Sequence, residues 1–202
     1  MAKAGCTPNG VDCPFVTAEV PLRAAALAFQ EMFDEAWAPK YDCVPSTSPA
    51  LVTDPYNFQI EQLEDRAIFT YEKDDVVRTI WLNGHGHPEP SVYERPWQGH
   101  SIGWYEGNQL VVETTHFPFD PTGFEDRDNL PSSTQKRTIE RYWREGDELN
   151  VELTVEDPLF LFEPFTFLWQ WVRTDTPLLL PYGCDPEIAR SPLKYLPPKY
   201  PD

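Results

Sequence analysis

Between residues 57 and 173 short runs of alternating apolar and polar residues are separated by tight polar connections, and a period of two dictates β-structure. In "LNVELTV", Leu149, Val151, Leu153 and Val155 share one face while Asn150, Glu152 and Thr154 take the other. In "FTFLWQWVR", Phe165, Phe167, Trp169 and Trp171 likewise share a face. Eight such runs can be marked, at 57–61, 66–72, 76–82, 99–105, 109–116, 136–144, 148–156 and 165–173. The connections "QLED", "KDD", "EGN" and "EGD" have the polar and glycine content of hairpin turns, so the runs should form an antiparallel meander. A flat meander exposes two edges, and closure removes them. The expected fold class is therefore mainly β: an eight-stranded antiparallel up-and-down barrel, with room inside for side chains or one small ligand.

The rest of the chain fits around this unit as a single domain of 202 residues. Residues 1–20 read as an irregular arm, 21–38 as an α-helix, 57–175 as the barrel and 176–202 as a proline-rich C-terminal tail. The helix follows from Leu22, Ala25, Ala26, Phe29, Met32, Phe33, Ala36 and Trp37, which recur at three and four residues until Pro39. Two long connections, 83–98 and 117–135, carry aromatics and read as ordered flaps over one barrel mouth.

A formal charge of −17 repels phosphate backbones, which argues against nucleic acid as a partner. No stretch approaches the roughly 18 apolar residues of a membrane span, so no membrane insertion is expected. "MAKAGCTPNG" has no apolar run that serves as a signal peptide. A periplasmic or secreted location with the leader absent from the chain, and a cytoplasmic one, both stay open, as does a homodimer. Seven Trp, twelve Phe and nine Tyr more than fill a compact core, and a surplus can line a cavity for a small apolar or aromatic molecule. Cys6, Cys13, Cys43 and Cys184 form no C-x-x-C pair. Their placement suits two staples, Cys6 with Cys13 and Cys43 with Cys184, or four reduced thiols in a cytosolic protein.

"GHSIG" at 99–103 matches the G-x-S-x-G nucleophile elbow, but that turn needs a strand and then a helix, whereas "WYEGNQLVVET" continues as strand, turn and strand. The histidines are the stronger signal. His100 shares a strand face with Ile102 and Trp104, and an even "EGN" loop sets it opposite or diagonal to Glu113, an acid–base pair. An odd loop instead sets His100 with Thr114 and His116, which favours a metal. His85 and His87 have the H-x-H spacing that lets both imidazoles reach one ion, with His100 or His116 completing the set, although "NGHGHPEP" is also plain turn chemistry. Arg78, Glu140, Arg141 and Arg173 at strand positions suit a solvated outer face, yet an inward arginine needs a partner such as Glu113 or a ligand carbonyl.

The runs "RTIWLNGHGHPEP", "GHSIGWYEGNQLVVETTHF" and "TIERYWREGDELNVELTVEDP" resemble the core of a large, mostly uncharacterised family of bacterial proteins, many of them exported, over roughly residues 40 to 175. His87, His100 and Glu113 fall on matching positions of that pattern, while His85 and His116 fall where it allows other residues. The resemblance implies a lipocalin-like barrel and a Cys43–Cys184 disulfide, and it brings no established reaction. "GWYEG" departs from the usual x-W-E-G spacing by one residue, which leaves the facing of His100 open.

The expected function is cofactor-independent acid–base catalysis of a lyase or dehydratase, isomerase or cyclase type on a largely apolar substrate in the barrel cavity. His100 is the expected acid or base, Glu113 its orienting carboxylate and His87 the second proton-transfer group. Trp104, Tyr142, Trp169, Arg78 and Arg141 are the expected substrate contacts. The alternatives are a non-catalytic carrier of a hydrophobic metabolite and a metal-dependent enzyme using His85, His87 and His116.

Overall fold

The computed structural model describes residues 2–3 (backbone only), 20–54, 56–89, 94–174, 179–196 and 199. Strands β1 (Ala2–Lys3), β2 (Phe58–Gln62), β3 (Arg66–Tyr71), β4 (Val77–Trp81), β5 (His100–Glu106), β6 (Gln109–Thr115), β9 (Arg137–Glu145), β10 (Glu148–Glu156) and β11 (Phe165–Val172) form one sheet in the order β1-β11-β10-β9-β6-β5-β4-β3-β2. Each of the eight alternating runs is a strand of it. The second long connection contains a separate two-stranded sheet, β7 (Asp120–Glu125) with β8 (Leu130–Ser132).

The architecture is mainly β and mostly antiparallel, but the all-antiparallel meander of eight strands needs correction. Among the described residues the sheet has nine strands, and β4 pairs with β5 in parallel through Ile80↔Ser101 and Trp81↔Ile102. A tight hairpin cannot make a parallel pair, because the chain must travel back along the sheet before re-entering it. The 83–98 connection is long enough to make that return. The sheet curls into a half-barrel, and Phe58 of β2 meets Trp171 of β11 with ring centroids 4.6 Å apart.

The helix is shorter than the periodicity implies. Helix α1 covers Ala24–Met32, and 3-10 turns follow at Glu35–Trp37 and Pro39–Asp42. Asp34 ends it by accepting a 2.9 Å hydrogen bond from the Ala36 backbone N–H, a local bond that competes with the helical ladder. Two one-turn helices, α2 (Ala50–Thr53) and α3 (Pro186–Ala189), complete the regular structure, and the Cys43–Cys184 disulfide ties the α3 segment to the 3-10 turn ending at Asp42. Cys6, Cys13 and the rest of the arm from 4 to 19 lie outside the described residues, as does most of the end of the tail. Among the described residues no helix is long and apolar enough to cross a membrane.

Inside the curl the apolar rows contributed by β2, β3, β10 and β11 surround a polar centre. Arg78 reaches from β4 to Glu140 on β9 through both terminal nitrogens, at 3.0 and 3.2 Å. Glu140 also accepts from Ser48 Oγ at 2.9 Å and Tyr142 Oη at 2.6 Å, while Arg78 donates to Tyr71 Oη and Thr114 Oγ1. The ion pair is sealed from water, with side-chain exposures of 1% and 0%. Burial, followed by the charge of Glu140, raises the Tyr142 hydroxyl well above its ordinary range.

A second buried cation, Lys136, donates to Thr47 Oγ1 at 2.7 Å and lies 4.3 Å over the Phe117 ring. Burial pushes its ammonium down to about 8 against the pull of Asp120 and Asp157. In the unfolded chain the lysine keeps its proton to about pH 10.4. Between these values the unfolded state binds more protons than the folded one, so this group's contribution to stability rises with pH, by up to ~1.4 kcal/mol per unit, and is lost as pH falls to about 8. Urea unfolding at pH 8, 9 and 10 should show this rise in the wild type relative to Lys136→Met; a constant difference between the two would contradict it.

Candidate functional site

The β5–β6 hairpin decides how the histidines face. Glu106 pairs with Gln109, so the loop is the two-residue Gly107–Asn108, and Gly107 supplies the positive φ of 63° that such a turn requires. The register then pairs His100 with Thr115 and Ile102 with Glu113, which sets His100 diagonal to Glu113 on one face. That face is the outer one. Ser101 and Gly103 point into the core, where Ser101 Oγ bonds Thr114 Oγ1 at 2.8 Å and a Cβ on Gly103 would lie 2.7 Å from Ile80. The glycine and serine of "GHSIG" therefore serve packing within a strand. The expected placement of His100 in the barrel cavity is corrected with them.

"NGHGH" completes the site. Asn83 and Gly84 have φ of 61° and 76°, two left-handed residues in succession that reverse the chain after β4, and Asn83 Nδ2 pins the turn to the Glu64 carbonyl at 2.7 Å. The reversal lays His87 over the outer face between His100 and Glu113. His87 Nδ1 is 2.8 Å from His100 Nδ1, and His87 Nε2 is 3.1 Å from Glu113 Oε1. The other carboxylate oxygen is gripped by Arg137, through Nε at 3.1 Å and through Nη2, while Arg137 Nη1 donates to Glu156 at 3.0 Å.

This chain of bonds assigns the protons. A carboxylate only accepts, so His87 Nε2 carries the hydrogen it donates to Glu113. Neutral His87 then has its lone pair at Nδ1 and accepts from His100 Nδ1–H. His100 is left with a bare Nε2, which has no hydrogen-bond partner among the described residues and is not one of the buried unpaired nitrogens. Burial lowers the His100 imidazole below its ordinary value, helped by the charges of His87, His116 and His85. His87 is lowered as well, by burial first and then by the charges of His116 and Arg137, against the raising pull of the Glu113 carboxylate. Both are thus neutral in neutral water, and His100 is ready to accept a proton.

The other expected residues divide between the two faces. Trp104 and Arg141 lie on the outer face with His100, across from each other over the buried Val111, and both bond Glu106. Tyr142, Trp169 and Arg78 lie on the core face, and Arg78 takes Glu140 rather than Glu113 as partner. His85 is exposed beside Trp81, ring centroids 5.6 Å apart. His85, His87 and His116 do not converge, and among the described residues no three His, Cys, Asp or Glu side chains are arranged to hold a metal ion. Three residues of consequence were not singled out from the sequence: Arg137, Lys136 and Ser48.

Beside the histidines the outer face offers half-buried Trp81, Ile102 and Ile139, in one row with Glu113, and the exposed Trp104. Compared with family models, curated proteins and solved structures, the chain gives no match.

Proposed function

We propose that the protein is a small-molecule enzyme using cofactor-independent acid–base catalysis, with His100 Nε2 as the base and the site on the outer face of the sheet beneath the 83–89 segment. The hydrogen-bonded chain Glu113–His87–His100 carries this reading. When Nε2 takes a proton from substrate, the imidazolium strengthens its Nδ1–H bond to His87, and Glu113, held by Arg137, stabilises the charge. The row of Trp81, Ile102 and Ile139 supports a largely apolar, neutral substrate. The same row favours a second reading, a binder of a hydrophobic metabolite without turnover. The curl that brings Phe58 against Trp171 supports a lipocalin-like architecture, and the Cys43–Cys184 disulfide supports life in an oxidising compartment, in keeping with the exported family that the sequence resembles.

The test uses 5-nitrobenzisoxazole, a small neutral aromatic whose ring opens when a base removes its C–H proton. The wild type should open it faster than His100→Gln by about 10²–10⁴-fold. Equal rates would sink the acid–base reading and leave the binder.

A further inference from the structure

His87 cannot be the second proton-transfer group, because both of its nitrogens are engaged. We infer that His116 takes the partner role, its Nε2–H donating a hydrogen bond to an oxygen of the same substrate from which His100 Nε2 removes a proton, so that the site carries out an elimination. This rests on the reading of His100 as the base.

Three observations place His116 there. Alternation would put residue 116 on the core face with Thr114, yet His116 has a left-handed backbone, φ 63°, and its ring stands 5.6 Å from His87 and 6.3 Å from His100. L residues adopt that conformation at a cost, which the fold bears in bringing this imidazole to the cluster. The neighbouring backbone is fixed from below: a Cβ on Gly99 would lie 2.5 Å from the Thr115 carbonyl and 3.2 Å from the fully buried Phe117 ring. Finally, His116 Nε2 is buried with no hydrogen-bond partner among the described residues. Such atoms are rare in folded proteins, and one at the edge of a polar cluster calls for a partner.

Thr115 sets the proton. Its Oγ1 lies 2.7 Å from His116 Nδ1, and a hydroxyl that donates there leaves the hydrogen on Nε2. In the step, the C–H bond of the substrate breaks and its proton goes to His100 Nε2. The C–H electron pair becomes a new π bond as the bond to oxygen breaks. The departing oxygen keeps the electron pair of its own broken bond and leaves as an anion that accepts a hydrogen bond from His116 Nε2–H. His100 then carries the extra proton, which passes through water to the oxygen anion and returns the site to its starting state. The substrate class is a neutral carbon acid with an oxygen leaving group.

Benzisoxazoles with ring substituents that grade the acidity of the departing phenol test this. His116→Asn suits the left-handed backbone. In the wild type the rate should depend weakly on leaving-group acidity, because the hydrogen bond from His116 meets the charge that develops on oxygen as the bond breaks. His116→Asn should steepen that dependence, losing about tenfold or more on the poorest leaving groups and little on the best. Thr115→Val, which leaves residue 116 untouched, should steepen it in the same direction. Unchanged slopes in both variants, whatever the drop in rate, would overturn the role of His116 while a loss in His100→Gln still upheld the base. A His100→Gln rate equal to wild type would remove the base reading itself, and the inference with it.

Discussion

Glu113→Gln should abolish catalysis as fully as loss of His100 itself, by about 10²–10⁴-fold, although it changes one oxygen to nitrogen. The reason lies in how Arg137 holds the group. Arg137 has only donors, and two of them address Oε2, so the amide oxygen of the glutamine must stay on that side. The amide NH2 then faces His87 Nε2 and donates to it. His87 is forced to carry its hydrogen on Nδ1, where it donates to His100 Nδ1, and the hydrogen of His100 moves to Nε2. The base is now an acid. Glu113→Asp, which only accepts, should retain much more of the rate on 5-nitrobenzisoxazole. Equal activity of wild type and Glu113→Gln would mean that the carboxylate does not set the tautomer of His100.

Arg78→Met should lower folding stability by about 3–5 kcal/mol, the usual cost of removing one member of a buried ion pair. Glu140 would remain at 0% exposure with only the hydroxyls of Tyr142 and Ser48 to bind it. Against a total stability of about 5–15 kcal/mol, that places the variant near unfolding at physiological temperature. The double variant Arg78→Met with Glu140→Leu should recover most of the loss, because it removes the stranded charge along with its partner. Urea midpoints at a common slope measure both. A single variant within 1 kcal/mol of wild type would show that water reaches Glu140 and that the centre of the curl is not dry.

The strands were legible because a half-buried strand must alternate, and each run from 57 to 173 does. Which face is buried was not. On β5, His100 and Ile102 are bulkier than Ser101 and Gly103, so side-chain size and hydrophobicity point the wrong row inward. The structure instead buries Ser101 and Gly103, because Ile80 and Leu82 need the space above Gly103 and Arg78 needs the Ser101 hydroxyl. β9 repeats this inversion: Ile139 and Trp143 face out, and Thr138, Glu140 and Tyr142 face in. A buried ion pair makes such rows, and nothing in local periodicity signals that Arg78 and Glu140, 62 residues apart, will meet.

An even hairpin was one of two parities that the sequence left open, and it sets His100 with Glu113; His87 was marked over His85 by the resemblance alone, and the structure brings the three side chains together. The roles of the three were not legible. Sequence spacing paired Glu113 with His100, whereas two left-handed residues at Asn83 and Gly84 fold His87 between them. His116 was obscured for the same kind of reason, because one positive φ overrides strand parity.

The central claim is an arrangement of protons, and it can be read directly. Long-range ¹H–¹⁵N spectra of the histidine-labelled protein at neutral pH should show His87 carrying its hydrogen on Nε2 and His100 carrying its hydrogen on Nδ1, with a bare Nε2. A hydrogen on His100 Nε2 under those conditions would contradict it.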